Sequence, residues 1–307
     1  MKKSVKSNFV SFLLGLAFTL VGVELLLRIL GFGYNLIHPL PRDIGAEYRI
    51  LCIGESTTFG IGASDPIKKG YPYQLEKLLN GKDATKKAQC FFDQAIGINT
   101  SEILRKFPGY IKKHRPSLIV FMVGVNNWWN LDRSNILLFN RNMIISESAL
   151  KIYVFMARFR IWKLAKWIYY SLFKPEDRWR LGCCRQMNVG EVVEYHNSTH
   201  KKYNYDIFNQ LAYYDLKAML EICKANKIKV VISTYPVGGG AAGDINLVLR
   251  KIASEYLIPL ADNELYFRKL DISEYTSPVD RWHPNDKGYR VVAQNIYNCI
   301  LDNKLIE

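Results

Sequence analysis

The longest apolar run in the chain lies at its N-terminus. Between residues 9 and 30 only four polar or charged residues interrupt it, namely Ser11, Thr19, Glu24 and Arg28. About twenty such residues form a helix that spans a bilayer, and this run exceeds the roughly 7 to 15 residues of a signal-peptide core. Glu24 and Arg28 lie one helical turn apart and can pair. Residues 1–33 therefore predict a transmembrane signal anchor in contact with membrane lipid; the alternative is a long helix buried in a protein core.

Basic residues on the N-terminal flank predict the orientation of this helix. Lys2, Lys3 and Lys6 precede the apolar run, and basic residues beside a membrane helix favour the cytoplasmic side. The N-terminus is then cytoplasmic and the chain beyond Gly33 is extracytoplasmic, on the periplasmic or cell-surface side. Basic residues on the other flank oppose this orientation. The sequence therefore predicts a single membrane span, and the N-terminal lysines alone predict its direction.

After a linker at 34–47, short apolar runs alternate with longer helical patterns through residues 48–307. The strand candidates are rich in Ile, Val, Phe or Tyr and lie at Tyr48–Ile53, Gln89–Ala95, Leu118–Val123, Lys229–Tyr235 and Ile258–Ala261. The helical patterns lie at Tyr73–Leu79, Ser101–Lys113, Tyr205–Ala225, Asp244–Tyr256 and Lys287–Asp302. Such alternation predicts an α/β fold, a three-layer sandwich around a mainly parallel five-stranded sheet.

The alternation breaks at about 131–205, which predicts an insertion rich in aromatic and basic residues. In a single helix, Lys151, Arg158, Lys163 and Lys166 fall on one broad side and Arg160 on the other, so that the helix should be only weakly amphipathic. One interpretation is a surface element that rests on anionic lipid or covers the active site. The other is a helix packed on the main domain, with Lys and Arg stems covering apolar surface.

A serine and a histidine occupy loops where α/β sheets carry their sites. Ser56 follows the first strand candidate, and sites in open α/β sheets form at the carboxyl ends of strands. A serine hydroxyl needs a base to take its proton. Asp280 precedes His283 by three positions in a loop before the last helical pattern. Asp280 can orient the imidazole while His283 acts as general base toward Ser56.

Acyl transfer also needs hydrogen-bond donors directed at the developing oxyanion. Two further loops at the same edge offer them: the segment after the second strand contains Gly97, and the segment after the third contains Asn126. Trp128 and Trp282 lie near these residues and either line a sugar or acyl pocket or serve packing.

Together these blocks resemble the SGNH (GDSL-like) hydrolase superfamily. Gly-Glu-Ser56 is similar to its first block, Gly97 to the second, Asn126 to the third, and Asp280 with His283 to the last. The resemblance covers about residues 48–303 without the insertion. It implies a flavodoxin-like fold, a triad of Ser56, His283 and Asp280, and an oxyanion hole of the Ser56 and Gly97 amides with the Asn126 side chain.

Three residues depart from the usual pattern of that superfamily. Glu55 replaces the Asp before the serine, Thr57 replaces the Leu after it, and Asn127 replaces the Asp that commonly follows the oxyanion Asn. None belongs to the expected catalytic set. They bear instead on how the neighbouring loops are supported.

Composition narrows the ligands. The formal net charge of +14 suits an acidic partner, whether anionic lipid, anionic polysaccharide or nucleic acid, although no nucleic-acid recognition motif is present. The six cysteines and five histidines show no ligand spacing, so that no metal and no cofactor are expected. The oligomeric state is not predicted.

Three functions fit these observations. The first is hydrolysis of an ester on an acylated carbohydrate or lipid, such as an O-acetyl group on an envelope glycan, through an acyl-Ser56 intermediate. The second is O-acyl transfer, in which a sugar hydroxyl captures the same intermediate. The third is a non-catalytic binding module on the same fold, against which the complete set of Ser56, His283 and Asp280 argues.

Overall fold

The computed structural model describes residues 2–37, 40, 43–81, 86–93, 96–128, 130–142, 146–172, 193–194, 202–203, 207–237, 240–279 and 282–306. The strands are β1 (Tyr48–Gly54), β2 (Ala88–Phe91), β3 (Leu118–Met122), β4 (Val193–Glu194), β5 (Lys202–Tyr203), β6 (Lys229–Ser233) and β7 (Leu260–Ala261). The helices are α1 (Lys2–Ile37), α2 (Ser56–Phe59), α3 (Pro66–Lys69), α4 (Tyr71–Leu79), α5 (Thr100–His114), α6 (Glu147–Met156), α7 (Arg160–Leu172), α8 (Ile207–Ala225), α9 (Gly240–Glu255), α10 (Asn263–Phe267), α11 (Ile272–Tyr275) and α12 (Asp286–Asp302), with a 3-10 helix at Asn135–Asn142.

Five of these strands form a parallel sheet in the order β2-β1-β3-β6-β7. The neighbouring interior strands β1 and β3 pair from Ile50 with Leu118 to Gly54 with Met122. All of β3 is buried, as is β1 from Ile50 onward, because helices cover both faces of a parallel sheet. The predicted three-layer α/β sandwich with a five-stranded parallel sheet is confirmed.

The strand order explains which face each helix covers. The step from β1 to β2 runs one way along the sheet, and every later step runs the other way. Right-handed crossovers therefore place α4 on one face and α5, α8 and α9 on the other. The packing agrees, since α4 contacts α12, while α5 contacts α8 and α8 contacts α9.

Three strands are shorter than their apolar patterns predicted. β2 ends at Phe91, β6 at Ser233, and β7 contains only Leu260 and Ala261. The apolar pattern continues past these points because the chain remains buried after it leaves the sheet, as at Phe92 and Tyr235. Hydrophobicity marks burial, whereas a strand also needs a partner along its edge.

Helix α1 is long and apolar enough to cross a membrane. The segment Asn8–Gly33 has a mean hydropathy of 2.3, and none of its most apolar window is buried inside the protein. By length and composition it is a candidate membrane span.

In the described part of the insertion, the stretch with the predicted single helix forms two α-helices, α6 and α7. The chain turns at residues 157–159 between α6 and α7, which resets the phase of the helical pattern. Helix α7 is consequently amphipathic, contrary to the expectation from one continuous helix. Leu150, Val154 and Ala157 of this region form a second small core with Ile207 and Leu211 at the start of α8.

Candidate active site

Ser56 and His283 meet at the carboxyl edge of the sheet. β1 ends at Gly54, and Ser56 begins the short helix α2, so that its amide lies in the first turn, where it has no acceptor within the helix. The His283 Nε2 atom lies 2.8 Å from the Ser56 Oγ atom. Two residues 227 positions apart in the chain are thus within hydrogen-bond reach, the arrangement that a serine nucleophile and its base need.

Main-chain hydrogen bonds between its two ends close the loop that carries His283. Thr276 and Pro284 form an antiparallel bridge, the Ser277 amide donates to the His283 carbonyl at 2.8 Å, and the Asn285 amide donates to the Tyr275 carbonyl at 3.0 Å. These main-chain bonds hold His283 at the closed base of the loop, opposite Ser277.

This histidine loop rests directly on the segment that follows Ser56. A Cβ atom on Gly62 would lie 2.6 Å from the Pro284 carbonyl oxygen and 2.9 Å from the His283 Cβ. Asp286 accepts from the amide of Ser64 at 2.8 Å and from its hydroxyl at 2.7 Å. The backbone of the segment that follows Ser56 therefore fixes the position of the loop that carries His283.

Glu55, the residue before the candidate nucleophile, is completely buried and binds two other loops. Its Oε1 accepts from the Gly124 amide at 2.7 Å, and its Oε2 accepts from the Tyr235 hydroxyl. Burial raises the pKa of Glu55 to about 7, although these two hydrogen bonds act to lower it. Asn246 in turn bonds both the amide and the carbonyl of Tyr235, at 2.7 and 3.0 Å. Glu55 thus connects the carboxyl ends of β1, β3 and β6.

Gly97 and Asn126 lie in loops that a buried asparagine joins. Gly97 has a left-handed backbone, with φ of 70°, and its carbonyl accepts from the Asn130 side chain at 2.6 Å. The Asn130 amide donates to the Asn126 carbonyl at 3.0 Å. The two segments that carry the predicted oxyanion donors are therefore held by one residue, Asn130, through its side chain and its backbone amide.

A second polar network lies beneath these two loops. Asp215 on α8 is fully buried and accepts from the hydroxyls of Thr100 and Ser101 at 2.7 and 2.6 Å and from the Asn135 side chain at 2.7 Å. Asn127 accepts from the Thr100 amide at 2.9 Å. Burial raises the pKa of Asp215, while the three hydrogen bonds oppose that shift.

The other predicted site residues differ in what the structure says of them. Asp280 lies outside the described residues. Trp282 is exposed beside His283, whereas Trp128 is partly buried and packs against the small core of the insertion. Within the described part of the chain, no three His, Cys, Asp or Glu side chains come together as a metal site would require.

Comparison with known proteins assigns the class. Residues 52–291, more than half of the chain, match the model of the GDSL-like lipase/acylhydrolase family, and the chain belongs to that family of ester-bond hydrolases. An acetyl xylan esterase has a TM-score of 0.50 at 16% identity, covering 82% of this chain and 98% of its own. The lipase/acylhydrolase from Enterococcus faecalis has a TM-score of 0.51 at 10% identity, with 83% and 96% coverage.

An acetylxylan esterase from Geobacillus stearothermophilus is similar to the same degree. Its TM-score is 0.50 at 14% identity, and it covers 84% of this chain and 96% of its own. At these identities the likeness shows the fold alone. No curated protein matches the sequence. The predicted SGNH resemblance is confirmed, and the chain is an ester hydrolase by family.

Sequence reasoning missed the residues that support the site. Glu55 stood out only as a departure from a motif, and Tyr235 only as the end of a strand pattern. The signal for Asp286 was its place two positions after a Pro that follows a candidate histidine, and for Gly62 its place in a Gly-rich stretch. None of these signals identifies the partner, which in each case lies far away in sequence.

Proposed function

We propose that the protein cleaves short-chain esters through a covalent acyl-Ser56 intermediate. The observation that carries this proposal is the 2.8 Å contact between Ser56 Oγ and His283 Nε2, formed at the edge of the sheet where Gly97 and Asn126 also lie. With the neutral ring protonated on Nδ1, the Ser56 hydroxyl donates to Nε2 and becomes a nucleophile.

The proposed reaction has two halves, acylation and then deacylation of Ser56. Ser56 Oγ attacks the ester carbonyl while its proton passes to His283 Nε2, and the resulting oxyanion accepts from the Ser56 and Gly97 amides and the Asn126 side chain. The intermediate collapses as Nε2 gives the proton to the departing alcohol. Water attacks the acyl-serine while its proton passes to His283 Nε2, and the second tetrahedral intermediate collapses as Nε2 returns that proton to Ser56 Oγ, which releases the acid. Asp280 is proposed to hold the Nδ1 proton and so the tautomer.

The substrate class follows from the proposed location. Helix α1 is inferred to remain as a membrane anchor, with the N-terminus cytoplasmic and the catalytic domain outside. Acylated glycan of the cell envelope, or acylated lipid, is the ester within reach of a domain held there. The net charge of +14 suits an anionic envelope polymer or leaflet.

Labelling with a fluorophosphonate probe tests the mechanism. The wild-type protein should be labelled, Ser56→Ala should not, and Ser254→Ala, which removes an exposed serine on α9, should be labelled like wild type. Release of p-nitrophenol from p-nitrophenyl acetate should follow the same pattern. Equal labelling of Ser56→Ala and wild type would exclude the acyl-serine proposal.

Two measurements separate the finer alternatives. Acetate release and acetyl transfer from one activated donor, with and without a glycan acceptor, distinguish hydrolysis from O-acyl transfer. Protease accessibility of a C-terminal tag in intact cells and in inverted vesicles tests the topology. A tag that is digested only in inverted vesicles would reverse the proposed orientation.

A further inference from the structure

Helix α7 presents an apolar face to solvent. Leu164, Ile168 and Leu172 follow one another at intervals of four residues and are 36%, 41% and 68% exposed, which places them in one row along the helix. Tyr169 beside them is 47% exposed. Since soluble surfaces rarely carry a contiguous row of this kind, the face indicates a partner.

This face is fixed to the candidate membrane helix α1 by polar contacts at the start of α7. The Ile161 amide donates to Glu24 Oε2 at 2.9 Å, and Arg160 Nη1 donates to the Leu27 carbonyl at 2.6 Å. Arg28 donates to the Arg158 carbonyl at 3.3 Å. Glu24 and Arg28 also pair with each other, at 2.8 Å, so that the two charges within the apolar run serve to attach α7.

The contact with α1 sets the depth of α7. The apolar segment Asn8–Gly33 contains 26 residues, or about 39 Å at 1.5 Å per residue, which exceeds the roughly 30 Å of a hydrocarbon core. The surplus is about six residues. If the charged Arg28 marks the boundary of the hydrocarbon, α7 meets α1 at the level where acyl chains give way to headgroups.

The charge of the insertion matches such a boundary. Between residues 147 and 172 five basic residues stand against a single acidic one, Glu147. Arg158 is exposed and its guanidinium lies 5.7 Å from the centre of the Phe155 ring, and Phe155 itself is 51% exposed. An apolar helix face flanked by Arg and Lys is the composition of helices that lie in the plane of an anionic leaflet.

Helix α7 is connected to the catalytic domain through α6. Tyr153 and Trp162 join α6 to α7, with ring centroids 6.2 Å apart. Leu150 and Val154 pack α6 onto the start of α8 in the same small core that Trp128 contacts. These contacts couple the position of α7 to that of the loop that follows Asn126.

We propose that α7 is an interfacial membrane helix, which lies in the outer layer of the same leaflet from which the C-terminal end of α1 emerges and presses its Leu164, Ile168 and Leu172 row into anionic lipid. This inference rests on the proposed membrane placement of α1. It goes beyond anchoring, because a second contact with the bilayer fixes the orientation of the catalytic domain relative to the membrane plane.

Depth-resolved quenching of a fluorophore tests the proposal with the full-length chain in phosphatidylglycerol-containing vesicles. Cys183 and Cys184 are first replaced by serine, which leaves four buried cysteines. An NBD label is then placed at Leu164→Cys or Ile168→Cys and quenched by lipids that carry a doxyl group either near the headgroup or deep in the chain. The expected result is an about twofold loss of fluorescence with the shallow quencher and a smaller loss with the deep one.

Two label positions act as controls. Phe18→Cys, in the middle of α1 and 76% exposed, should respond more to the deep quencher, and Leu257→Cys, 90% exposed on the catalytic domain, to neither. Ile168→Glu should abolish quenching at Leu164→Cys without changing hydrolysis of a soluble ester.

The outcomes separate the two proposals. If Phe18→Cys is not quenched, the membrane placement of α1 is wrong. If Phe18→Cys is quenched but Leu164→Cys and Ile168→Cys behave like Leu257→Cys, α1 is an anchor and α7 is not interfacial. Labels on α7 that are shielded from water yet unquenched by either lipid would mean that another protein, including a second copy of this chain, covers the face.

Discussion

Replacing Gly62 by alanine should separate the position of His283 from the stability of the fold. Gly62 has φ of 94°, and an added Cβ would lie 2.6 Å from the Pro284 carbonyl oxygen. An ordinary contact begins at 3.4 Å, so that the histidine loop must retreat by about 0.8 Å. A retreat along the Ser56–His283 hydrogen bond, which is 2.8 Å long, would lengthen it to about 3.6 Å, where no hydrogen bond remains.

The expected effect is on kcat as well as on stability. Misplacement of a reacting group by about 1 Å costs up to roughly 100-fold, and we expect Gly62→Ala to lower kcat for p-nitrophenyl acetate by about 10- to 100-fold. The left-handed backbone adds about 1 kcal/mol of destabilisation, and the contact with the Pro284 carbonyl adds about 1 to 3 kcal/mol more. Steady-state kinetics and urea denaturation measure the two quantities independently.

Gly45→Ala is the matched control. Gly45 also has a left-handed backbone, with φ of 69°, but nothing lies within 4 Å of its ideal Cβ. It should therefore lose only the backbone contribution of about 1 kcal/mol and keep wild-type kcat. If Gly62→Ala retains kcat within about twofold of Gly45→Ala, the histidine loop yields without moving the imidazole, and the reasoning from this contact is wrong.

Three further substitutions test the supporting residues. Because the folded-state pKa of Glu55 is raised from 4.5 to about 7, the folded state binds its proton more tightly, and stability is lost as pH rises through that window; Glu55→Gln should remove this loss, about 3 kcal/mol, in urea denaturation at several pH values. If the free energy of unfolding of Glu55→Gln falls with pH as steeply as that of the wild type, Glu55 is not the group that titrates in this window. Asp215→Ala removes the shared acceptor of the buried Thr100 and Ser101 hydroxyls and of the half-buried Asn135 side chain and should cost about 3 kcal/mol of unfolding free energy; a loss below about 1 kcal/mol would show that the network is dispensable. Asp280→Asn should lower kcat about 1000-fold with little change in KM, if Asp280 holds the tautomer of His283; an unchanged kcat would remove it from the triad.

The sheet was predictable because its signal is local. Each of β1, β3 and β6 contains an apolar run, at 50–53, 118–122 and 230–232, that is buried except at Val230, and such a run is visible in the sequence without knowledge of its partner. The serine and the histidine were predictable for a related reason. Both follow or precede such elements at the edge where the carboxyl ends of parallel strands meet.

The supporting contacts were not predictable because they join distant parts of the chain. Glu55 meets a partner 69 residues away in Gly124 and another 180 residues away in Tyr235, and nothing local to any of the three marks the contact. The turn that separates α6 from α7 was missed because the sequence there contains neither glycine nor proline, the residues that usually signal a break. Its cause lies in packing against α1 and α8.

The departure at Glu55 has a physical explanation in these contacts. A glutamate is one methylene longer than the aspartate usual at that position, and its two oxygens reach two different strands' ends, through the Gly124 amide and the Tyr235 hydroxyl. Gly124 has φ of 118°, and a Cβ there would lie 2.5 Å from the Ile245 side chain. Glycine therefore suits the position from which this amide reaches Glu55. The longer acid and the tyrosine thus work as a pair. Above pH 7, where Glu55 is ionised, Tyr235→Phe should then destabilise the wild type more than it destabilises the Glu55→Gln variant, because only in the wild type does it remove a hydrogen bond to a buried carboxylate. A double-mutant cycle that gives no coupling energy would show that the longer side chain was retained for another reason.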